Sequence, residues 1–193
     1  APEAAGQYYC FAKDSGAPGA WSPGTPGING RNTDGTTVAD RGCISAGTPV
    51  SGVNYIRDIV TTASQAGTFI LADVLWVNTG LVVTTTTAQA ITQPTLPLRD
   101  NLGTSNGFGI GAGILVTTAT TNAAAIANIT LSYTNSAGTT GRTGRITSFP
   151  ATAVAGTFVP FQMQEGDVGI RSIQSITLGT TLGGGAISLI AFN

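Results

Sequence analysis

From about residue 54 to the C-terminus, short runs rich in β-branched and aromatic residues alternate with clusters of Gly, Pro, Asn and Asp. That is the pattern of short strands separated by turns. It predicts strands over 54–62, 68–77, 80–91, 108–119, 126–134, 143–149, 157–163, 170–178 and 185–192. The clearest hairpin runs from Ile129-Thr130-Leu131-Ser132-Tyr133-Thr134 through Asn135-Ser136-Ala137-Gly138 to Arg142-Thr143-Gly144-Arg145-Ile146. In it Ile129, Leu131 and Tyr133 alternate with Thr130, Ser132 and Thr134, so one face is expected dry and the other wet. Ile170, Ser172, Ile173, Ser175, Ile176 and Leu178 repeat the alternation with one slip, the mark of a bulge, and Ile187, Leu189 and Ala191 repeat it again. Asn54 to Ser64 fits a strand, the preferred reading, or a helix capped by Asn54 with Tyr55, Ile56, Ile59 and Val60 on one face. The Thr84-Thr85-Thr86-Thr87 run fits an exposed strand.

Residues 1–52 have neither period. Trp21-Ser22-Pro23-Gly24-Thr25-Pro26-Gly27 and Asn29-Gly30-Arg31-Asn32-Thr33-Asp34-Gly35 are turn punctuation. The expected organisation is an extended, irregular N-terminal arm, 1–52, followed by an all-β domain, 53–193, built as a β-sandwich or jelly-roll-like barrel. Ordering such an arm costs entropy, so it should lie across its own domain or a neighbour, with Tyr8, Tyr9, Phe11 and Trp21 as anchors in apolar grooves. Cys10 and Cys43 both fall within it. A disulfide between them would close a loop of about 33 residues and stabilise by roughly 3–4 kcal/mol. Two reduced thiols, or a crosslink to another subunit, are the alternatives.

Composition narrows the function classes. The 193 residues include no histidine, a single lysine, Lys13, and only 9% charged side chains, against about 25% in an ordinary domain. Without histidine the commonest general acid/base and the commonest metal ligand are missing. With a net charge of −1 and seven scattered arginines, the chain lacks the basic stripe of a nucleic-acid binder. No apolar run approaches the ~20 residues of a spanning helix, so the chain reads as soluble with no membrane partner. Nothing near Ala1-Pro2 resembles a secretory signal, and that start suggests loss of an initiator methionine.

Candidate motifs fail on their own chemistry. Gly103-Thr104-Ser105-Asn106-Gly107 matches G-x-S-x-G, but a nucleophile elbow needs a histidine base, and a polar turn is the expected role. Gly107 to Gly113 does not complete G-x-G-x-x-G, and its glycines read as a closely packed strand. Glu165 and Asp167 sit in one loop, whereas a glycosidase pair must face each other across a cleft, so both are expected to be solvated turn residues. Asn29, Asn32 and Asp34 lack the alternating ligands of a calcium loop, and Asn128-Ile129-Thr130 is a chance sequon. No catalytic residue, cofactor or metal is expected. Arg142, Arg145 and Arg171 are the charges to watch: in a chain so poor in ions, each is expected to meet a carboxylate or carbonyl, on its own chain, at an interface or as a plain surface contact.

Several strings resemble a group of virion structural proteins of tailed bacteriophages. They are Leu98-Arg99-Asp100 through Thr120-Thr121-Asn122, Ser132-Tyr133-Thr134-Asn135-Ser136 with Gly141-Arg142-Thr143-Gly144, Phe149-Pro150-Ala151 through Val159-Pro160-Phe161, and Gly166-Asp167-Val168-Gly169 through Ile173-Gln174-Ser175. The likeness spans roughly residues 55 to 193 and is greatest to capsid decoration, or cement, proteins. It implies a non-enzymatic protein on the outer surface of the capsid, a homotrimer that binds the major capsid protein and stabilises capsomer junctions. The alternative it leaves open is a tail, baseplate or fibre component that adheres to a host polysaccharide.

Overall fold

The computed structural model describes residues 8–9, 25–33 and 70–193. Ten strands are present among them and no helix: β1 (Tyr8–Tyr9), β2 (Arg31–Asn32), β3 (Val74–Asn78), β4 (Gln89–Ala90), β5 (Gly111–Thr118), β6 (Ile129–Asn135), β7 (Arg142–Ile146), β8 (Thr157–Pro160), β9 (Ile170–Thr177) and β10 (Ala186–Phe192). They form two antiparallel sheets, a six-stranded one in the order β1-β8-β5-β10-β3-β2 and a four-stranded one in the order β4-β9-β6-β7. The protein is therefore all-β, with the two-layer arrangement of a β-sandwich.

The main core lies between the sheets. From the six-stranded sheet Trp76, Ile114, Val116, Leu189 and Ala191 meet Ile129, Leu131, Tyr133, Ile173 and Ile176 of the four-stranded sheet, all 1% exposed or less. The alternation of β6 is as expected: Ile129, Leu131 and Tyr133 are buried, whereas Thr130, Ser132 and Thr134 are half-buried. The slip in β9 resolves into two bulges. Its ladder with β6 steps from Ser175 to Ile173 and from Ser172 to Ile170, leaving Gln174 and Arg171 outside the pairing.

The six-stranded sheet departs from a simple dry-in, wet-out scheme. Its outer face carries a second apolar cluster, Val77, Leu115 and Ile190, with Val74, Phe158 and Phe192 packed against it. Phe158 and Phe192 meet edge to face with ring centroids 5.4 Å apart. The reason is visible in the central strands: Ala112 to Val116 and Ile187 to Ala191 are buried without interruption, as expected of strands covered on both sides. Gly113 belongs to this packing, since a Cβ there would enter the Phe158 ring.

Two expectations need correction. The strand expected over 80–91 is reduced to Gln89–Ala90, and Thr84 to Thr87 lie in a loop. The Gln89 side-chain amide closes that loop by accepting from Val82 N (2.7 Å) and donating to Val82 O (3.0 Å). β-Branched residues there favour extended backbone but have no neighbouring strand to join. The strand expected over 68–77 begins only at Val74. Within 1–52 the described residues include β1 and β2, two residues each, which pair with β8 and β3 of this chain's own sheet. Residues 54–62, with their strand-or-helix ambiguity, lie outside the described residues.

Candidate functional site

One end of the sandwich gathers the starts of β3, β5, β7 and β9 and the ends of β6, β8 and β10. The loops there present Ile70, Leu71, Leu98, Leu102, Phe108 and Val168. These are six of the seven large apolar side chains found exposed among the described residues; only Val82 lies elsewhere. Scattered exposed apolar residues are ordinary, but a concentration on one set of loops marks a contact surface.

Two carboxylates hold these loops in place. Asp100 is wrapped by the segment that follows it: Oδ1 accepts from Leu102 N (3.0 Å) and Thr104 N (2.6 Å), and Oδ2 from Thr104 Oγ1 (2.6 Å), Gly107 N (3.0 Å) and Phe108 N (3.1 Å). Burial alone would raise this carboxyl, but the hydrogen bonds donated by Thr104, Phe108 and Leu102 prevail and hold it at about 2. The G-x-S-x-G string is thus the turn around Asp100. Gly107 has a left-handed φ of 82° and approaches Ile170 so closely that a Cβ would strike that residue's carbonyl.

Asp167 anchors the second clamp. Its carboxylate accepts from Arg142 Nε (2.9 Å), from Asn135 Nδ2 (2.7 Å) and from the Tyr133 hydroxyl, which itself accepts from Gln164 N (3.0 Å). Arg142 also donates to Glu165 O (3.2 Å). The expectation of a solvated turn residue fails here: the Asp167 side chain is 2% exposed, because Arg142, Asn135 and Tyr133 enclose it. The bond from Arg142 outweighs burial and, with those from Tyr133 and Asn135, holds its carboxyl at about 2. The same partnership raises Arg142, while burial and the bond to Asp167 raise the Tyr133 hydroxyl. Both Asp167 oxygens are engaged, so the carboxylate serves as a brace between β6, β7 and the 161–169 loop.

Arg99 ties the same end to the N-terminal region. It donates to Thr33 O (2.7 Å) and Val74 O (3.2 Å), pairs with Asp73 at 3.3 Å, and its own carbonyl accepts from Asn193 Nδ2 (3.1 Å). Burial raises the Asp73 carboxyl against the opposing pull of Arg99. Neither Arg99 nor Asp100 was singled out by motif. A carboxylate followed by Thr, Ser, Asn and Gly is the local signal for such a turn.

The arginines singled out from sequence separate. Arg142 and Arg145 are an odd number of residues apart on one strand, so they take opposite faces. Arg142 lies opposite Tyr133 and turns to Asp167, whereas Arg145 lies opposite Thr130 and is exposed. Arg145 borders an open hollow of about 470 Å³ lined also by Gly141, Thr143, Gln162, Met163 and Gln164. Arg171 is exposed at a β9 bulge, near the Gly138 turn. The backbone of Tyr8 and Tyr9 forms β1 opposite Phe158 and Thr157. Phe11, Trp21, Cys10 and Cys43 lie outside the described residues. Among the described residues no group of three or more His, Cys, Asp or Glu could hold a metal ion, and no helix is long and apolar enough to cross a membrane. No family model, no curated protein and no solved structure matches the chain.

Proposed function

We propose that this chain is a non-enzymatic decoration protein of the outer surface of a tailed-bacteriophage head, where as a homotrimer it binds the major capsid protein and braces the junctions between capsomers. The observation that carries this reading is the apolar end, with six exposed large hydrophobic side chains on loops held by Asp100 and Asp167. Loops braced in advance lose little entropy on docking. A contact built from neutral and apolar groups also avoids the desolvation cost of buried charge. The resemblance of Leu98-Arg99-Asp100 and Gly166-Asp167-Val168-Gly169 to virion proteins supports the same surface, because both strings belong to these loops.

The test is attachment of purified protein to heads of the encoding phage stripped of it, measured by co-sedimentation. Replacing Leu98, Leu102 and Val168 together by serine should weaken attachment by roughly 100-fold, at about 1 kcal/mol for each apolar side chain. The fold should persist, since exposed positions shift stability by about 0.5 kcal/mol or less. Unchanged attachment by the folded triple variant would refute the docking surface. Antibody labelling over the whole shell, as opposed to the tail tip, separates head decoration from a tail, baseplate or fibre role.

A further inference from the structure

We infer that the wet face of the four-stranded sheet is a binding surface for a carboxylated polysaccharide. Cross-strand pairing places Thr177 and Thr130 in one row with Arg145, Ser175 and Ser132 in a second row with Thr143, and Ser172 beside Thr134 in a third. Directly paired residues share a face, neighbouring strands lie about 4.8 Å apart, and alternate residues along a strand are separated by about 6.8 Å. The result is a sheet face of regularly spaced hydroxyls, of which Ser172 Oγ already accepts from Gln174 Nε2 at 2.8 Å.

Charge decides which hydroxyl-rich ligand fits. The four strands of this sheet contain no Asp or Glu, and Asp167 nearby is committed to Arg142, Tyr133 and Asn135. Arg145 at one edge and Arg171 at the β9 bulge are exposed and make no ion pair among the described residues. Their guanidiniums suit bidentate carboxylate recognition. Two cations amid many hydroxyls match a polymer with few carboxylates and many hydroxyls; a phosphate polymer would demand a dense basic stripe. The hollow beside Arg145 adds amide donors. Gln162 and Gln164 are exposed there, and Gln164 Oε1 accepts from Thr143 N at 3.2 Å, which leaves its NH₂ for a ligand.

Strand geometry sets a length requirement. Arg145 and Arg171 are separated by two strand spacings and by four or five residues of rise, roughly 15–20 Å. An oligosaccharide spans that distance and a monosaccharide does not. Arg171, at the start of β9, adjoins the apolar end, whereas Arg145 lies toward the other end of β7: Arg145→Gln should leave capsid attachment intact.

Calorimetric titration of the full chain with hexamers of polygalacturonate, hyaluronate and polysialate tests the inference, with the methyl ester of the galacturonate hexamer and polyphosphate as comparisons. At least one carboxylated hexamer should bind, with its monosaccharide at least 10-fold weaker. Arg145→Gln should weaken binding at least 10-fold and Arg171→Gln several-fold, with thermal midpoints unchanged because both residues are exposed. Amide shifts on binding should map to β6, β7 and β9. The inference fails if no carboxylated hexamer binds, if the ester or polyphosphate binds as well as the acid, or if folded Arg145→Gln binds like the parent.

Discussion

Replacing Trp76 by alanine should destabilise the protein by about 3–5 kcal/mol, which lowers the thermal midpoint by roughly 6–20 °C in a chain of this size. Trp76 is fully buried in the core between the sheets, and it also seats the N-terminal segment. Its indole Nε1 donates to Asn29 O at 3.1 Å, and Gly30 lies so close against the ring that a Cβ would overlap it. Asn32 pairs directly opposite, and Thr33 N donates to Leu75 O at 2.9 Å. The alanine variant therefore loses apolar burial, leaves a cavity and removes the surface on which residues 27–33 rest. Trp76→Phe, which keeps most of the volume but not the indole donor, should cost less than half as much. Thermal melts of the three proteins check this order. A midpoint for Trp76→Ala within two degrees of the parent would show that residues 27–33 and the core close over the gap.

The second large effect is acid sensitivity centred on Asp167. Its folded-state carboxyl titrates at about 2, below the ordinary 3.8, so ionised Asp167 favours the folded chain. That contribution is complete above about pH 4 and is lost as pH falls through the folded value near 2. Asp100, also held at about 2, acts in the same direction and window. Asp73 is raised, so its protonation favours the folded state slightly as pH falls and opposes the trend. Asp167→Asn removes the charge that Arg142 faces and should cost roughly 1.5–3 kcal/mol at neutral pH. The loss of stability between pH 4 and 2 should then be shallower than in the parent, retaining the part due to Asp100. Urea midpoints at pH 5, 4, 3 and 2.5 provide the comparison. Parallel profiles for the two proteins would show that the Asp167 clamp does not titrate in this range.

Both effects depend on residues whose importance the sequence conveys unevenly. Trp76 lies within an apolar run, Val74-Leu75-Trp76-Val77, and its burial follows from that pattern. Its contact with Gly30 does not, because 46 positions separate them and only the β2–β3 pairing joins them. The period of two in β7 already implies that Arg142 and Arg145 diverge. That Arg142 faces the core side, and finds Asp167 there, requires the register with β6. Thr84 to Thr87 show the opposite limit: strong β-propensity produced no strand, since a strand needs a neighbour to complete its hydrogen bonds.

What the sequence by itself determined is the class of fold and the wet and dry sides of its hairpin, since alternation and turn residues act over distances of a few residues. It also determined the scarcity of charge that shapes every proposal for function. The tertiary structure alone decided that the central strands of one sheet are buried on both faces and that six exposed apolar side chains from three loop segments lie at one end. It likewise decided that Asp100 and Asp167 act as braces. Each of these joins residues far apart along the chain, and such contacts exist only after strand order and register have been chosen by the packing of the whole core.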